Sequence, residues 1–162
     1  MTDGTSDQGS GARGVRLPMA LLLGQAVAGP LLGVLWWALA RRPAPWLVGE
    51  PVVVTGAAYP IARDGSFAAL TALAGLVAGA LVLRWAREHP LPVMVAGLTG
   101  ALAGSLLTVA TAGVLPPSDP SALAHVSVYA WAVVLVQPLV VSVVVAVVSL
   151  AGALVAWTRS EA

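Results

Sequence analysis

Four uninterrupted apolar stretches organise this chain. Residues 17–40, 67–83, 93–115 and 130–157 contain no Asp, Glu, Lys, Arg or His. About 20 apolar residues carry an α-helix across roughly 30 Å of hydrocarbon, and each stretch reaches or approaches that length. The second is short, and Arg84 and Trp85 are expected to complete it, with the arginine reaching back to the interface. The last run is rich in Val, which favours strands in water. Residues 139–148, LVVSVVVAVV, do not alternate apolar and polar residues as a barrel strand does. A helix satisfies its own backbone in lipid whatever its side chains prefer. The pattern predicts an all-α membrane fold. It is a four-transmembrane-helix bundle with spans at about 17–40, 67–85, 93–115 and 133–157.

The segments between the runs are punctuated by turn formers. Residues 1–12, MTDGTSDQGSGA, are small and polar and are expected to form a disordered tail. That leaves residues 13–162 as one four-span membrane domain. Arg13 and Arg16 ahead of an apolar stretch that contains Ala26-Val27-Ala28 also fit a cleavable secretory signal. The apolar run continues twelve residues past Ala28, longer than a signal's apolar region, so an uncleaved span is expected. Pro30 lies inside that span and is expected to kink it. The loop 43–66 holds β-branched Pro51-Val-Val-Val-Thr55, a Gly56-Ala57-Ala58 turn, and Tyr59 to Ala62, which could pair back. It predicts a small extracytoplasmic β-hairpin between helices 1 and 2. Residues 121–129, SALAHVSVY, are ambiguous between a strand and an early helical turn.

Composition sharpens the picture. The chain is 59% hydrophobic and 9% charged, against about 25% charged in soluble domains. A net charge of +1 gives no electrostatic case for nucleic acid. The absence of cysteine rules out disulfides and thiolate chemistry. With four spans, both termini and the 84–92 turn share one side. That side carries Arg13, Arg16, Arg84, Arg87 and Arg159, and the other carries Arg41, Arg42 and Arg63. Five arginines against three favour cytoplasmic termini and a multi-pass plasma-membrane protein. Trp36, Trp37, Arg41, Arg42, Arg84 and Trp85 are then expected at the lipid interface. Trp46, Trp131 and Trp157 also fall near span ends.

Small residues recur every four positions: Gly29 and Gly33, Gly75 and Gly79, then Ala96, Gly100, Gly104 and Thr108. Such stripes let membrane helices approach closely. Gly29, Gly33, Gly75, Gly79, Gly100 and Gly104 are therefore the expected helix-packing positions. A docking face for a partner would use the same stripe, as would packing within the bundle. Gln25 and Gln137 are the strongest polar groups inside the apolar runs. At 1.5 Å per residue, Gln25 lies roughly 5 Å inward of its span's centre and Gln137 roughly 12 Å outward of its own. The unequal depths predict no direct hydrogen bond between them. Instead, Gln137-Pro138 is expected to mark a local irregularity in the fourth span. Glu88-His89 and Asp119 with His125 are the only acid–histidine groupings, too sparse for a metal site or a nucleophile–base pair. Tyr59, Arg63 and Asp64 could form a recognition patch on the hairpin. No catalytic, cofactor or metal residue is expected.

The stretch Gly29-Pro-Leu-Leu-Gly33-Val-Leu-Trp36-Trp37-Ala-Leu-Ala40, then Asp64-Gly65-Ser66-Phe67 and a Gly-rich span, resembles an uncharacterised actinobacterial family of small multi-pass integral membrane proteins. The likeness covers residues 20 to 157, includes Pro138, and fits residues 121–131 less well. It implies four spans and an extracytoplasmic hairpin and implies no activity. The expected function is non-enzymatic: an accessory or interaction component of a bacterial plasma membrane. Its partners would be the lipid bilayer and a membrane protein or further copies of the chain. The alternative is a small transporter or channel subunit acting as an oligomer.

Overall fold

The structure, a computed structural model, describes residues 8–40, 60–87, 90–116 and 126–161. Four long helices dominate: α1 (Gln8–Ala40), α2 (Pro60–Trp85), α3 (Pro90–Val114) and α4 (Val136–Ser160), with a 3-10 helix, Trp131–Leu135, leading into α4. Each is long and apolar enough to cross a membrane, α4 together with its 3-10 entry. Successive helices run in opposite directions, so the chain termini share one end of the bundle. Ala40, Pro60, Pro116 and Val126 share the other, called the loop end below.

No strand occurs among the described residues, and this corrects the predicted β-hairpin. Its returning arm cannot form, because Pro60, Ile61 and Ala62 are the first turn of α2. Proline has no N–H for a strand ladder, while its fixed φ suits a first helical position. Residues 51–58, which were to form the outgoing arm and turn, and Tyr59 of the returning arm lie outside the described residues. Residues 8–12, expected in a disordered tail, form the start of α1, which begins at Gln8; residues 1–7 lie outside the described residues. Pro18 and Pro30 both lie inside α1, which continues to Ala40.

Helices two apart in sequence pair most extensively, α1 with α3 and α2 with α4. Glycines explain both pairings. A Cβ on Gly29 would stand 2.7 Å from the Gly104 carbonyl oxygen, and one on Gly33 2.7 Å from that of Thr108. Between α2 and α4, a Cβ on Gly75 would stand 2.8 Å from the Gln137 oxygen, and one on Gly79 2.9 Å from Val144 Cβ. Backbone–backbone approaches of this kind tolerate no side chain, which is how apolar helices gain packing contacts in a solvent as apolar as themselves.

Two buried clusters close the ends. Leu21, Ala78, Val82, Val93, Ala101, Val141 and Val145 fill the half toward the termini. Trp36, Phe67, Ala112, Val126, Val128 and Val134 fill the loop end. There the fourth helix is replaced by the non-helical stretch 126–130 and the 3-10 turn. Asp64 holds this stretch: its carboxylate accepts the N–H groups of Tyr129 (2.9 Å) and Ala130 (2.7 Å). A helix start leaves N–H groups unpaired, and an acceptor from α2 here does the work of a local cap. The far half of α4 is different. Only 11% of its apolar window is buried, against 28–44% for the other three helices, and every residue from Ala146 to Ser160 is exposed.

Candidate functional site

Polar groups and open volume meet at mid-height, between α1 and α2. Gln25 on α1 and Gln137 in the first turn of α4 are both buried, at 8% and 3% exposure. Gln137 Nε2 donates to Gln25 Oε1 at 3.1 Å. Gln25 Nε2 donates to the Gly97 carbonyl at 3.1 Å, and Ser105 Oγ donates to Gln137 Oε1 at 3.0 Å. One turn further along α3, Thr108 Oγ1 donates to the Gly29 carbonyl at 3.0 Å, with the Gly104 carbonyl of its own helix at 2.8 Å. The network thus ties α1, α3 and α4 together inside an apolar bundle, where low polarisability strengthens each bond.

The Gln25–Gln137 bond overturns the expectation that their depths differ too much. That expectation assumed every apolar run to be centred at one level. Val145, midway along the predicted fourth span, lies eight residues, about 12 Å, from Gln137 along the helix. Asp64 and the 126–130 stretch occupy the loop-end part of the fourth helix's place, so α4 starts later. Its apolar run is displaced toward the termini, and Gln137 comes level with Gly75 and Gln25. The change from 3-10 to α geometry falls at Leu135–Val136, directly before Gln137–Pro138.

Room for the Gln25 amide is made by Gly100, where a Cβ would stand 2.7 Å from Gln25 Nε2. Gly104 adds space beside Gln137, whose amide atoms lie 3.6 and 3.7 Å from a Cβ built there. The six glycines expected at helix contacts therefore divide by role. Gly29, Gly33, Gly75 and Gly79 meet backbone or Cβ atoms of a neighbouring helix. Gly100 meets a side-chain amide, and Gly104 meets both the α1 backbone and the amide of Gln137. The sequence reading missed Ser105 and the accepting role of the Gly97 carbonyl. Both residues follow the legible spacing Gly97, Ala101, Gly104–Ser105, Thr108, all buried on one face of α3.

Above the amides lies a cleft of about 530 Å³. Its α1 wall runs from Ala20 to Leu32 and its α2 wall from Ala74 to Trp85, with Gln25 and Gln137 as its polar lining. Among the described residues no carboxylate, imidazole or thiolate lines it, and the two amides offer hydrogen bonds. The cleft exists because α1 and α2 each pack closely on another helix and only loosely on one another. They rejoin at the loop end, where Trp36 and Phe67 meet edge to face at 5.0 Å between centroids and Trp36 Nε1 donates to the Arg63 carbonyl at 3.1 Å.

That contact places Trp36 in the core, fully buried, and not in an interfacial belt. An indole needs an apolar body contact and one acceptor, and the turn of α2 at Arg63 supplies both. Trp37 is half-buried and donates to the Pro116 carbonyl at 2.8 Å. Arg84 is exposed, and Trp85 is half-buried on the rim of the cleft. Trp131 and Trp157 are exposed. Asp64, expected on a surface patch, is engaged with the 129–130 backbone. Tyr59, Arg41, Arg42, Trp46, Glu88, His89, Asp119 and His125 lie outside the described residues. Comparisons with protein-family models, with curated proteins and with solved structures find no match to this chain.

Proposed function

We infer that this is a non-enzymatic, multi-pass integral protein of a bacterial plasma membrane, with both termini in the cytoplasm. It serves as an accessory component that recognises another membrane constituent through its intramembrane surface. Four helices long and apolar enough to span support the membrane assignment. The observation that carries the recognition role is the cleft between α1 and α2. It is a bounded recess whose described lining is apolar apart from the Gln25–Gln137 pair and the amphipathic Trp85, and bundles place their ligand sites between helices in this way.

The test is capture in the native membrane. A photoreactive residue replaces Ala74 inside the cleft, or Leu150 on the exposed half of α4. The recognition role predicts one dominant adduct of defined mass at position 74 and only a spread of lipid adducts at position 150. Identical spreads at the two positions would remove it. A transporter or channel subunit acting as an oligomer is the second reading, favoured by a polar network that crosses three helices at mid-height. Solute or ion flux after reconstitution would put it first.

A further inference from the structure

We propose that the cleft is a binding site for a small apolar molecule bearing a hydrogen-bond acceptor, such as a ketone or quinone-type carbonyl, which the amide groups of Gln25 and Gln137 recognise. This rests on the reading of the cleft as the recognition surface and adds the chemistry of what enters it.

The donor count gives the direction. A carboxamide nitrogen carries two N–H donors. Among the described residues, Gln25 Nε2 makes one hydrogen bond, to Gly97, and Gln137 Nε2 makes one, to Gln25. Both side-chain oxygens are already accepting, from Gln137 and from Ser105. The spare capacity is therefore two N–H groups on residues that line the cleft. Unfilled buried donors are rarer than under-used carbonyl oxygens. In hydrocarbon no water answers them, and lipid chains carry no acceptor at mid-bilayer depth. An acyl chain filling the cleft leaves both donors unanswered, whereas an apolar molecule with a carbonyl answers one or both.

The recess is too short to bury a transmembrane helix along its whole length. The α1 wall from Ala20 to Leu32 is about 18 Å long at 1.5 Å per residue, and a spanning helix needs roughly 30 Å. Trp36 and Phe67 close the loop end. Toward the termini, Leu21 and Val82 converge over Gly97, where a Cβ would lie 3.4 and 2.5 Å from their methyl carbons. A helix of 10–12 Å diameter would have to part both closures. Its own backbone groups, moreover, are paired internally and offer the amides nothing.

The experiment uses the full chain in lipid nanodiscs, with benzophenone as a probe that is both an apolar ketone and a photolabel. Diphenylmethane, which has the same rings and no oxygen, is the competitor control. Labelling is expected within 20–32 and 74–85. Fluorenone, a further ketone, should suppress it at concentrations about fivefold or more below those diphenylmethane needs, the factor one net hydrogen bond supplies. Replacing both amides by isosteric apolar groups, Gln25→Leu with Gln137→Leu, should abolish that preference. Ala28→Trp, which fills the cleft and leaves the amides in place, should remove the labelling. Helix content by circular dichroism identifies a variant that fails to fold, and the other variant then decides. Labelling spread equally over Met94, Leu98 and Val147, or ketone and hydrocarbon competing alike, overturns the proposal. Because the native-membrane capture at position 74 is read separately, a protein adduct there would end this inference and leave the recognition role standing.

Discussion

Gly29 and Gly152 are both glycines inside a helix, and the surroundings give them opposite consequences. A side chain at 29 collides with the backbone of α3 at 2.7 Å, while nothing lies within 4 Å of a Cβ at 152. Gly29→Leu should therefore cost about 2–3 kcal/mol or more, since two backbones must separate. Gly152→Ala should gain about 0.5–1 kcal/mol from helix propensity alone. Unfolding in mixed micelles with increasing sodium dodecyl sulfate measures both, and equal shifts would show that the α1–α3 approach is not as close as described. Asp64 makes a comparable case among polar residues. Removing its carboxylate takes a cap from the exposed N–H groups of Tyr129 and Ala130, so Asp64→Ala should destabilise by about 0.5–2 kcal/mol. Asp64→Asn keeps one side-chain oxygen and should fall between wild type and Ala. An Asp64→Ala variant as stable as wild type would mean that solvent, not Asp64, satisfies this helix start.

Along one element, α4 carries two kinds of surface. Val141 is buried at the bundle centre and Leu150 is 62% exposed. Val141→Ala should cost about 1–2 kcal/mol through a lost packing contact and the cavity left behind. Leu150→Ala should stay within about 0.5 kcal/mol. Equal costs would show the far half of α4 to be covered by a second copy or another protein. The pairing of α1 with α4 through Gln25 and Gln137 is measurable by a double-mutant cycle with Leu at each position. Interhelical hydrogen bonds in bilayers average about 0.6 kcal/mol, with a maximum near 1.7, and a coupling in that range is expected. A coupling of zero would contradict the 3.1 Å bond. These elements also show what the sequence could reveal. The four apolar runs are legible because lipid demands long uncharged helices, and the glycine spacing marks the helix faces. Which helix meets which face is not local information: Gly33 does not announce Thr108, nor Gly75 Gln137. The depth of Gln137 was misjudged for the same reason. The axial position of α4 is set by Asp64, about 65 residues earlier in the chain, and no periodicity in α4 records it. Trp36 was misplaced because a tryptophan near a span end reads as interfacial unless its partners, Phe67 and the Arg63 carbonyl, are known.

At the scale of the whole molecule, the proposed orientation rests on a small charge difference. Arg84 and Arg87 stand at the termini end, where Val148 and Ser149 of α4 line the same recess. Arg84 is nine residues, about 14 Å, from Gly75 on α2, close to half the thickness of a hydrocarbon core. The Gln25–Gln137 pair thus sits near mid-bilayer when Arg84 is at the interface. From Gln137 to Trp157 α4 rises about 30 Å, twice that half-thickness, so its last turns must tilt within the membrane or stand beyond it. Neither alternative alters the arginine tally, five on the side of the termini against three on the other. Reporters active only outside the cytoplasm, fused after Trp157 or inserted near Gly56, should be silent in the first position and active in the second. Arg84→Gln with Arg87→Gln removes two charges from the majority side and leaves three against three. Both reporters should then show intermediate activity, because the flanks of the first span, two arginines on each side, give no bias of their own. Full retention of the wild-type pattern in that variant would mean that orientation is fixed by something other than arginine count. The folded bundle offers one such element, the Asp64-held loop end, and Asp64→Ala added to the double variant would then be the change that releases it.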